Sequence, residues 1–386
     1  DNLIGYVWDK TSTHVVLDVD EGNQFNIPIS DESVFKEYQE TLDLIQVGDK
    51  LSLLEVRIDE NDNCIPLHII YNTDYLVDIS SVAECFQNIG GNEISPWQLY
   101  FIKKLISLEA NPALLKGNVA NFFMDELLYA PRDKQPLFAD LIRSTFKISP
   151  FEYTVLFKDD IELKAFIAKA KEQFENLKRV VQLDLGSDAV GIDKDNSVLE
   201  PAFINEKLGL QGRLDLLDKG KSEARIIELK SGRLPWPSND SSKVNDNHAA
   251  QARMYRMILK QVYGLRDDRI DAAICYSSST NQGENIRWVP KYIEFDKRIL
   301  NTRNIIVSKE RTLCSAEDLS AIESFFRSLG FERLGIELHP RLEWFRRDWD
   351  YVQTTLRKLN DIERKYFFAF YQFVTQELML SKIGDG

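Results

Sequence analysis

The chain has 386 residues, a hydrophobic content of 44% and a formal net charge of −13 at pH 7. This length predicts two or three domains, and the hydrophobic content is ample for a sizeable core. No apolar run reaches the roughly 18 residues of a membrane-spanning helix, so no membrane contact is expected. The negative charge argues against tight nonspecific binding to a nucleic-acid duplex, because phosphate contacts require Lys and Arg.

The first region, residues 1–72, alternates apolar and polar residues between turns rich in Asp, Asn and Gly. This alternation is typical of half-buried strands. A helix is predicted at Asp31–Leu44, between the third and fourth strands. The predicted strands are Leu3–Asp9, His14–Val19, Gln24–Ile29, Lys50–Ile58 and Cys64–Tyr71. Five strands with one inserted helix predict a small OB-like β-barrel over residues 1–75.

The middle of the chain is predicted to be helical. Periodic apolar residues indicate helices at 95–108, 112–129, 134–147 and 159–182. The last of these has a 3.6-residue period and contains neither Gly nor Pro. Beyond residue 183 the chain turns to strands, which include Asp271–Ser279, and residues 316–382 are again predicted to be helical.

A predicted hairpin in the second half of the chain carries the most informative side chains. Two strand-like segments, Leu210–Asp218 and Ala224–Ser231, flank the turn sequence Lys-Gly-Lys-Ser. Symmetric pairing about this turn places Asp215 opposite Glu228. Lys230 follows two residues later and shares their face, because strand side chains alternate.

Opposed acids in an apolar hairpin require a compensating cation. Like charges directly opposite each other destabilise a strand pair, and a buried carboxylate is costly unless it is paired or binds metal. Asp215 and Glu228, with the carbonyl of Leu229, suit a hard divalent ion such as magnesium or manganese. Lys230 then orients a water or neutralises charge on a phosphate, as in metal-assisted phosphodiester hydrolysis. The alternative is a salt bridge in which Lys230 balances one acid and the other keeps its charge.

A helix predicted at Asn247–Tyr263 follows the hairpin. His248, Gln251 and Tyr255 stand at i, i+3 and i+7, so they share one face. An inward Gln and Tyr would hydrogen-bond the lysine, a metal-bound water or a nucleic-acid backbone. The pattern also fits an ordinary amphipathic helix, and both interpretations can hold together.

These motifs, taken in order, resemble those of the PD-(D/E)XK nuclease superfamily. The resemblance rests on Asp215, on Glu228-Leu229-Lys230 and on Gln251-x-x-x-Tyr255. It is most similar to the RecB-like branch, which includes flap-trimming DNA replication helicase-nucleases. The resemblance implies a mixed α/β restriction-endonuclease-like core with helical flanks, and catalytic roles for these residues. Glu200 resembles the upstream acid that assists the metal site, or it is a surface carboxylate next to a strand.

The resemblance extends upstream and there shows one departure. Residues 47–88 resemble the join between barrel and nuclease, and residues 115–122 match a Gly-x-x-x-His helix start. Asn121 stands where the family has a metal-binding histidine. An amide oxygen is a weaker ligand than imidazole and favours hard cations. Either one metal position is weakened or activity is lost.

A second departure concerns the four cysteines, Cys64, Cys85, Cys275 and Cys314. Relatives with an iron–sulfur cluster have one cysteine before the core and a close trio after the Gln/Tyr helix. Cys85 resembles the first, but the trio is absent, and cluster ligation needs close spacing. We therefore expect no iron–sulfur cluster. Without a secretory signal, the thiols are expected to be reduced, which favours a cytoplasmic protein.

The resemblance implies a magnesium- or manganese-dependent DNA nuclease that acts on single-stranded DNA or flap ends. The nuclease domain is expected at residues 76–315, and residues 316–386 would lead toward an ATP-dependent helicase motor elsewhere in the full-length chain. Nucleic-acid contacts are expected from Arg233 and His248, and Trp236 would stack on a DNA end or cap the sheet. Two alternatives stay open: an inactive DNA-binding module, motivated by Asn121, and an RNA-directed nuclease of the same fold.

Overall fold

The computed structural model describes residues 2–19, 22–30, 32–87, 95–106, 111–131, 134–330 and 343–383. The chain divides into two units. The first unit contains Asp1–Ser107, Ile204–Gly212 and Tyr292–Gly386, and the second contains Leu108–Phe203 and Arg213–Lys291. The three-domain division into residues 1–75, 76–315 and 316–386 stays a prediction.

The strands and helices alternate irregularly along the chain. The strands are β1 Leu3–Lys10, β2 His14–Asp18, β3 Gln24–Pro28, β4 Lys50–Leu54, β5 Arg57–Ile58, β6 Cys64–Ile65, β7 His68–Tyr71, β8 Val77–Asp78, β9 Ser197–Leu199, β10 Ala202–Asn205, β11 Leu210–Arg213, β12 Leu216–Lys219, β13 Ala224–Lys230, β14 Ile270–Tyr276 and β15 Ile286–Trp288. The helices are α1 Glu32–Phe35, α2 Gln39–Leu44, α3 Ile79–Ala83, α4 Trp97–Leu105, α5 Pro112–Tyr129, α6 Phe138–Ile148, α7 Pro150–Leu156, α8 Asp160–Arg179, α9 Asp246–Tyr263, α10 Ile293–Cys314, α11 Leu319–Ser328, α12 Glu343–Lys358 and α13 Asp361–Ile383.

The first unit contains an antiparallel five-stranded sheet in the order β3-β2-β1-β4-β7. Two of the predicted strands are each split in two. Glu55, at a positive φ of 52°, ends β4 before β5, and Pro66, which has no N–H to donate, separates β6 from β7. In the described residues β3 and β7 are open edges of the sheet. The closed OB-like barrel that we predicted is therefore not shown.

The helices of the first unit include one that the sequence analysis missed. The predicted helix at 31–44 is two short helices, α1 and α2, joined by a 3₁₀ turn. The predicted helical region 316–382 contains α11, α12 and α13, and its residues 331–342 lie outside the described part. The missed helix is α10, which packs against β7, where Asn304 donates to the Ile69 carbonyl at 2.8 Å.

The second unit is built on a sheet in the order β15-β14-β13-β12-β9. Strands β12 and β13 form the predicted hairpin, but β11 leaves it: residues 210–212 belong to the first unit, where β11 pairs in parallel with β8. The connection from β13 to the parallel β14 runs through α9, as a parallel pair requires a crossover. Helix α9 packs against β13 and β14.

A second group of helices buries an apolar core with this sheet. Helices α5 and α8 pack together and supply Phe123 and Phe174, while the sheet supplies Ile227 and Cys275. Helix α7 was not predicted, and α8 continues as a short π-helix at Val180–Asp184. In the described residues, no helix combines the length and the apolarity needed to cross a membrane.

Candidate active site

Three acids from neighbouring strands lie in one row across the sheet. The hairpin pairs Leu216 with Ile227, so the next position places Asp215 beside Glu228. Strand β9 continues the row, because the pairing of Leu199 with Leu216 places Glu200 beside Asp215. Two hydrogen bonds confirm the register: the N–H of Glu200 donates to the Asp215 carbonyl at 3.0 Å, and the N–H of Asp215 donates to Glu228 Oε1 at 3.4 Å.

Asp215 lies between the end of β11 at Arg213 and the start of β12 at Leu216. The N–H of Leu229 donates to Asp215 Oδ2 at 2.7 Å and fixes the carboxylate beside β13. Glu200 has a positive φ of 50°, where β9 ends, and Arg213 Nη1 lies 3.4 Å from its Oε2. A positive φ at a non-glycine residue is uncommon and often marks a functional position.

Helix α5 places two further polar side chains, Asn121 and Asp125, next to these acids. Its first turn is fixed by Asn111, whose side chain accepts from the Leu114 N–H at 2.8 Å. Asn121 and Asp125 stand four residues apart, on one face of this helix. With the acids of the sheet they border a pocket lined by Asn121, Met124, Asp125, Glu200, Asp215, Leu216, Ile227 and Leu229.

Asp125 was missed by the sequence analysis. The signal that could have found it is its spacing from Asn121, because a residue at i+4 shares the helix face of a suspected ligand. Glu228 does not line the pocket. It is 1% exposed, and its carboxylate accepts a hydrogen bond from the N–H of Asp215 on the adjacent strand.

Burial is the main cause of the raised pKa of three carboxyl groups at this site. Burial raises the pKa of Glu228 well above its usual value, and the charge of Asp215 raises it further. Burial also raises the pKa of Asp215, with Glu200 as the like charge that adds to the effect. Asp125 reaches a pKa of about 7 through burial and the charges of Glu200 and Asp215. Burial disfavours the charged form of each acid, and the neighbouring like charges add to this effect.

Lys230 is held by two side chains. Its Nζ donates to Gln251 Oε1 at 2.7 Å and lies 3.6 Å from Glu228 Oε2. Gln251 also hydrogen-bonds Tyr255, whose hydroxyl donates to the Arg213 carbonyl at 2.6 Å. The amide of Gln251 thus accepts from the lysine and donates to the tyrosine, which fixes the direction of the lysine ammonium. The catalytic roles of these residues stay predictions.

The other predicted contact residues lie away from the pocket lining. His248 Nδ1 lies 2.9 Å from the Tyr276 hydroxyl. Trp236 is 84% exposed, and Arg233 is exposed at the start of the same loop. The structure therefore brings Asp215, Glu228 and Lys230 together but does not bring His248, Trp236 or Arg233 into the acidic pocket.

The donor set fits a divalent cation. Among the described residues, no group of three or more His, Cys, Asp or Glu side chains is arranged to hold a metal ion. Magnesium, however, commonly uses one or two carboxylates and completes its shell with waters and substrate phosphates. Asp215 and Glu228 supply such a pair.

The four cysteines differ in how far they are buried. Cys64, Cys85 and Cys275 are buried, and Cys314 is partly exposed. Burial raises the pKa of Cys64 to about 11 and those of Cys85 and Cys275 to about 12, which favours the neutral thiol. Metal ligation requires the thiolate. The absence of an iron–sulfur cluster stays a prediction.

A sequence profile of the PD-(D/E)XK nuclease superfamily matches residues 121–329, which is more than half of the chain. The chain belongs to this superfamily. Its members are typically nucleases and generally use divalent metals. A search of curated proteins found no significant match. The match begins at Asn121 and includes the whole acidic row and the Lys230–Gln251–Tyr255 network.

Proposed function

We propose that this protein is a divalent-metal-dependent nuclease that hydrolyses phosphodiester bonds in DNA. One observation carries the proposal: Asp215 and Glu228 lie side by side on adjacent strands, with the Lys230 ammonium 3.6 Å from Glu228. A salt bridge alone would leave one of the two acids uncompensated. The raised pKa of both acids supports a site that binds an additional cation.

Magnesium or manganese would be held by the carboxylates of Asp215 and Glu228 and by the Leu229 carbonyl. Glu200, Asp125 and Asn121 border the same pocket and are candidates for further ligands, directly or through water. The bound metal would activate a water as nucleophile and stabilise charge on the phosphate.

The protein's own groups would orient the substrate. Lys230 Nζ lies 3.6 Å from Glu228 Oε2, so it would donate to the attacking water or to a phosphate oxygen. Gln251 holds this ammonium in place, and Tyr255 anchors Gln251 to the backbone of Arg213. Burial raises the pKa of the Tyr255 hydroxyl, so it stays protonated and keeps its hydrogen bond.

We infer a preference for single-stranded DNA or flap ends. The net charge of −13 does not favour a broad duplex-binding surface. The exposed Trp236 beside Arg233 suits stacking on an unpaired base. The RecB-like affiliation and the helicase motor rest on sequence resemblance, and we propose them on that ground.

The test is cleavage of end-labelled single-stranded, duplex, 5′-flap, 3′-flap and RNA oligonucleotides with magnesium or manganese. We expect cleavage of single strands and flaps by the wild type and none by Asp215→Asn, which keeps the size of the side chain. Faster cleavage of blunt duplex would contradict the preference, and cleavage of RNA alone would indicate an RNA-directed enzyme.

The second candidate is an inactive DNA-binding module, and Asn121 favours it. This residue borders the acidic pocket where the superfamily resemblance predicts histidine. Binding of DNA without cleavage under every metal condition would support the module and would contradict the nuclease.

A further inference from the structure

Three basic side chains come together beside the strand that carries Lys230. Lys116 lies in the first turns of α5, Lys169 lies on α8, and Arg233 follows the end of β13. The charges of Lys169 and Arg233 are those that most strongly lower the pKa of Lys116 after burial. Lys169 and Arg233 are exposed, and Lys116 is partly exposed.

The segment between Lys230 and Arg233 is fixed against both helices. Gln173 of α8 is buried, and its Nε2 donates to the Ser231 carbonyl at 3.1 Å. A Cβ at Gly117 of α5 would lie 3.5 Å from Ser231 Oγ, so the helix backbone passes close to this segment. These contacts bring the chain segments that carry the three cations together at Ser231.

Within the described residues, none of the three cations takes part in an ion pair. Glu172, the residue before Gln173, is an acid whose charge raises the pKa of Lys116. Like charges brought close together repel one another, and a bound anion relieves this repulsion. This local group of cations contrasts with the net charge of −13 of the whole chain.

The same helix links the cations to the acidic pocket. Lys116 precedes Asn121 by five residues and Asp125 by nine. At 1.5 Å per residue, the separations along the helix axis are roughly 7 Å and 13 Å. These separations are short enough for a nucleic-acid strand that has its scissile phosphate at the acids to reach the cations within a few nucleotides.

We propose that Lys116, Lys169 and Arg233 form a phosphate-binding cluster for the backbone of a substrate strand. The cluster would bind phosphodiester groups on the Ser231 side of the acidic pocket and set the path of the strand past Lys230. This inference rests on the proposed nuclease function, because it takes the substrate to be a nucleic acid.

The experiment measures binding of the full chain to a fluorescent oligo(dT) in EDTA, where no cleavage occurs, over a range of salt concentrations. The cluster variant is Lys116→Ala, Lys169→Ala, Arg233→Ala. The matched control is Lys147→Ala, Lys164→Ala, Lys171→Ala, which removes three exposed cations from α6 and α8. Each lost phosphate contact lowers the salt dependence of log K by about 0.7 for a single strand, so we expect a loss of about 2 for the cluster variant.

We expect the control to keep the wild-type affinity and slope. Equal slopes for the cluster variant and the control would overturn the cluster while leaving the nuclease proposal standing. A wild type that binds no oligonucleotide would overturn both.

A circular single strand and a linear strand with or without a 5′-phosphate distinguish a backbone site from an end site. We expect the cluster variant to lose affinity equally for all three. A loss confined to the 5′-phosphorylated strand would overturn the backbone assignment in favour of a terminal-phosphate site.

Discussion

Each unit buries a charged centre, and the two centres differ in how their charge is satisfied. In the first unit, the Arg303 guanidinium is fully buried and donates to the carbonyls of Tyr71, Asn72, Tyr75 and Gly209. Burial lowers its pKa to about 9. In the second unit, Glu228 is equally buried but faces the carboxylate of Asp215, with one lysine nearby.

This difference distinguishes a buried charge that stabilises the fold from buried charges that are available to bind a ligand. Carbonyl oxygens surround Arg303 and satisfy its donors, so this centre needs no ligand and joins distant segments of the first unit. A buried group with all its hydrogen bonds made contributes to a single well-ordered structure. Burial raises the pKa of Asp215 and Glu228, with a neighbouring acid adding to each shift, and such perturbed groups are typical of active sites.

The largest effect on stability is expected at Gly209. Its φ is +59°, and a Cβ there would lie 2.7 Å from Cζ of Arg303. Gly209→Ala should therefore lower the free energy of unfolding by about 3 kcal/mol, from the left-handed backbone and the overlap with the guanidinium. Gly264→Ala is the matched control, because its φ is +61° with open space around it, and it should cost about 1 kcal/mol. Chemical denaturation measures both, and equal losses would contradict the tight packing around Arg303.

The next effect concerns the lysine of the acidic centre. Lys230→Ala should lower the cleavage rate by roughly 10²- to 10³-fold, because it removes the donor aimed at the phosphate or water. Lys221→Ala, in the exposed turn of the same hairpin, should cleave like the wild type. A rate for Lys230→Ala within a few-fold of that of Lys221→Ala would show that Lys230 serves only as a salt-bridge partner.

A smaller effect is expected in the pH dependence of stability without metal. The pKa of Asp125 rises from 3.8 to about 7 on folding. Well below pH 3.8 the Asp125 carboxyl is protonated in both the folded and the unfolded chain, so it does not change the free energy of unfolding. As the pH rises from 3.8 to about 7, Asp125 ionises in the unfolded chain before it ionises in the folded one. The free energy of unfolding therefore falls until the pH passes the folded pKa.

Asp125→Asn should remove this fall in the free energy of unfolding, because an amide does not ionise. At pH 8 in EDTA, we expect the variant to exceed the wild type by about 1–2 kcal/mol, after allowing for solvent screening at a partly exposed site. Glu126→Gln, on the exposed side of the same helix, serves as the control and should follow the wild-type curve. Parallel curves for Asp125→Asn and the wild type would mean that Asp125 is not part of the acidic centre.

The smallest effect is expected at Asn121. Asn121→His should tighten manganese binding by a few-fold, because imidazole is a stronger ligand than an amide oxygen. Asn118→His, one turn earlier on an exposed part of α5, should bind like the wild type. The two affinities are measured by calorimetry, and a match between them would place residue 121 outside the metal shell.

The sequence predicted the features that depend on local pattern. The turn between β12 and β13 and the apolar alternation around it were enough to predict the register of Asp215 against Glu228. The face shared by Gln251 and Tyr255 followed from helical spacing alone. These predictions succeeded because hairpins and helices are determined by neighbouring residues.

Other features depend on distant partners and were not predictable in this way. Strand β11 leaves the hairpin because it pairs with β8, more than a hundred residues away. Helix α10 was missed because its buried face carries Arg303 and Asn304, so its apolar periodicity is weak. The convergence of Asp125 with Glu200 likewise requires the packing of α5 near β9 and β12.

The central claim is that the acids of the second unit form a divalent-metal site. Calorimetric titration of manganese into the wild type and into the Asp215→Asn, Glu228→Gln double variant tests it most directly. We predict saturable binding by the wild type and its loss in the double variant, with the circular dichroism spectrum unchanged. Equal binding by the two proteins would contradict the account.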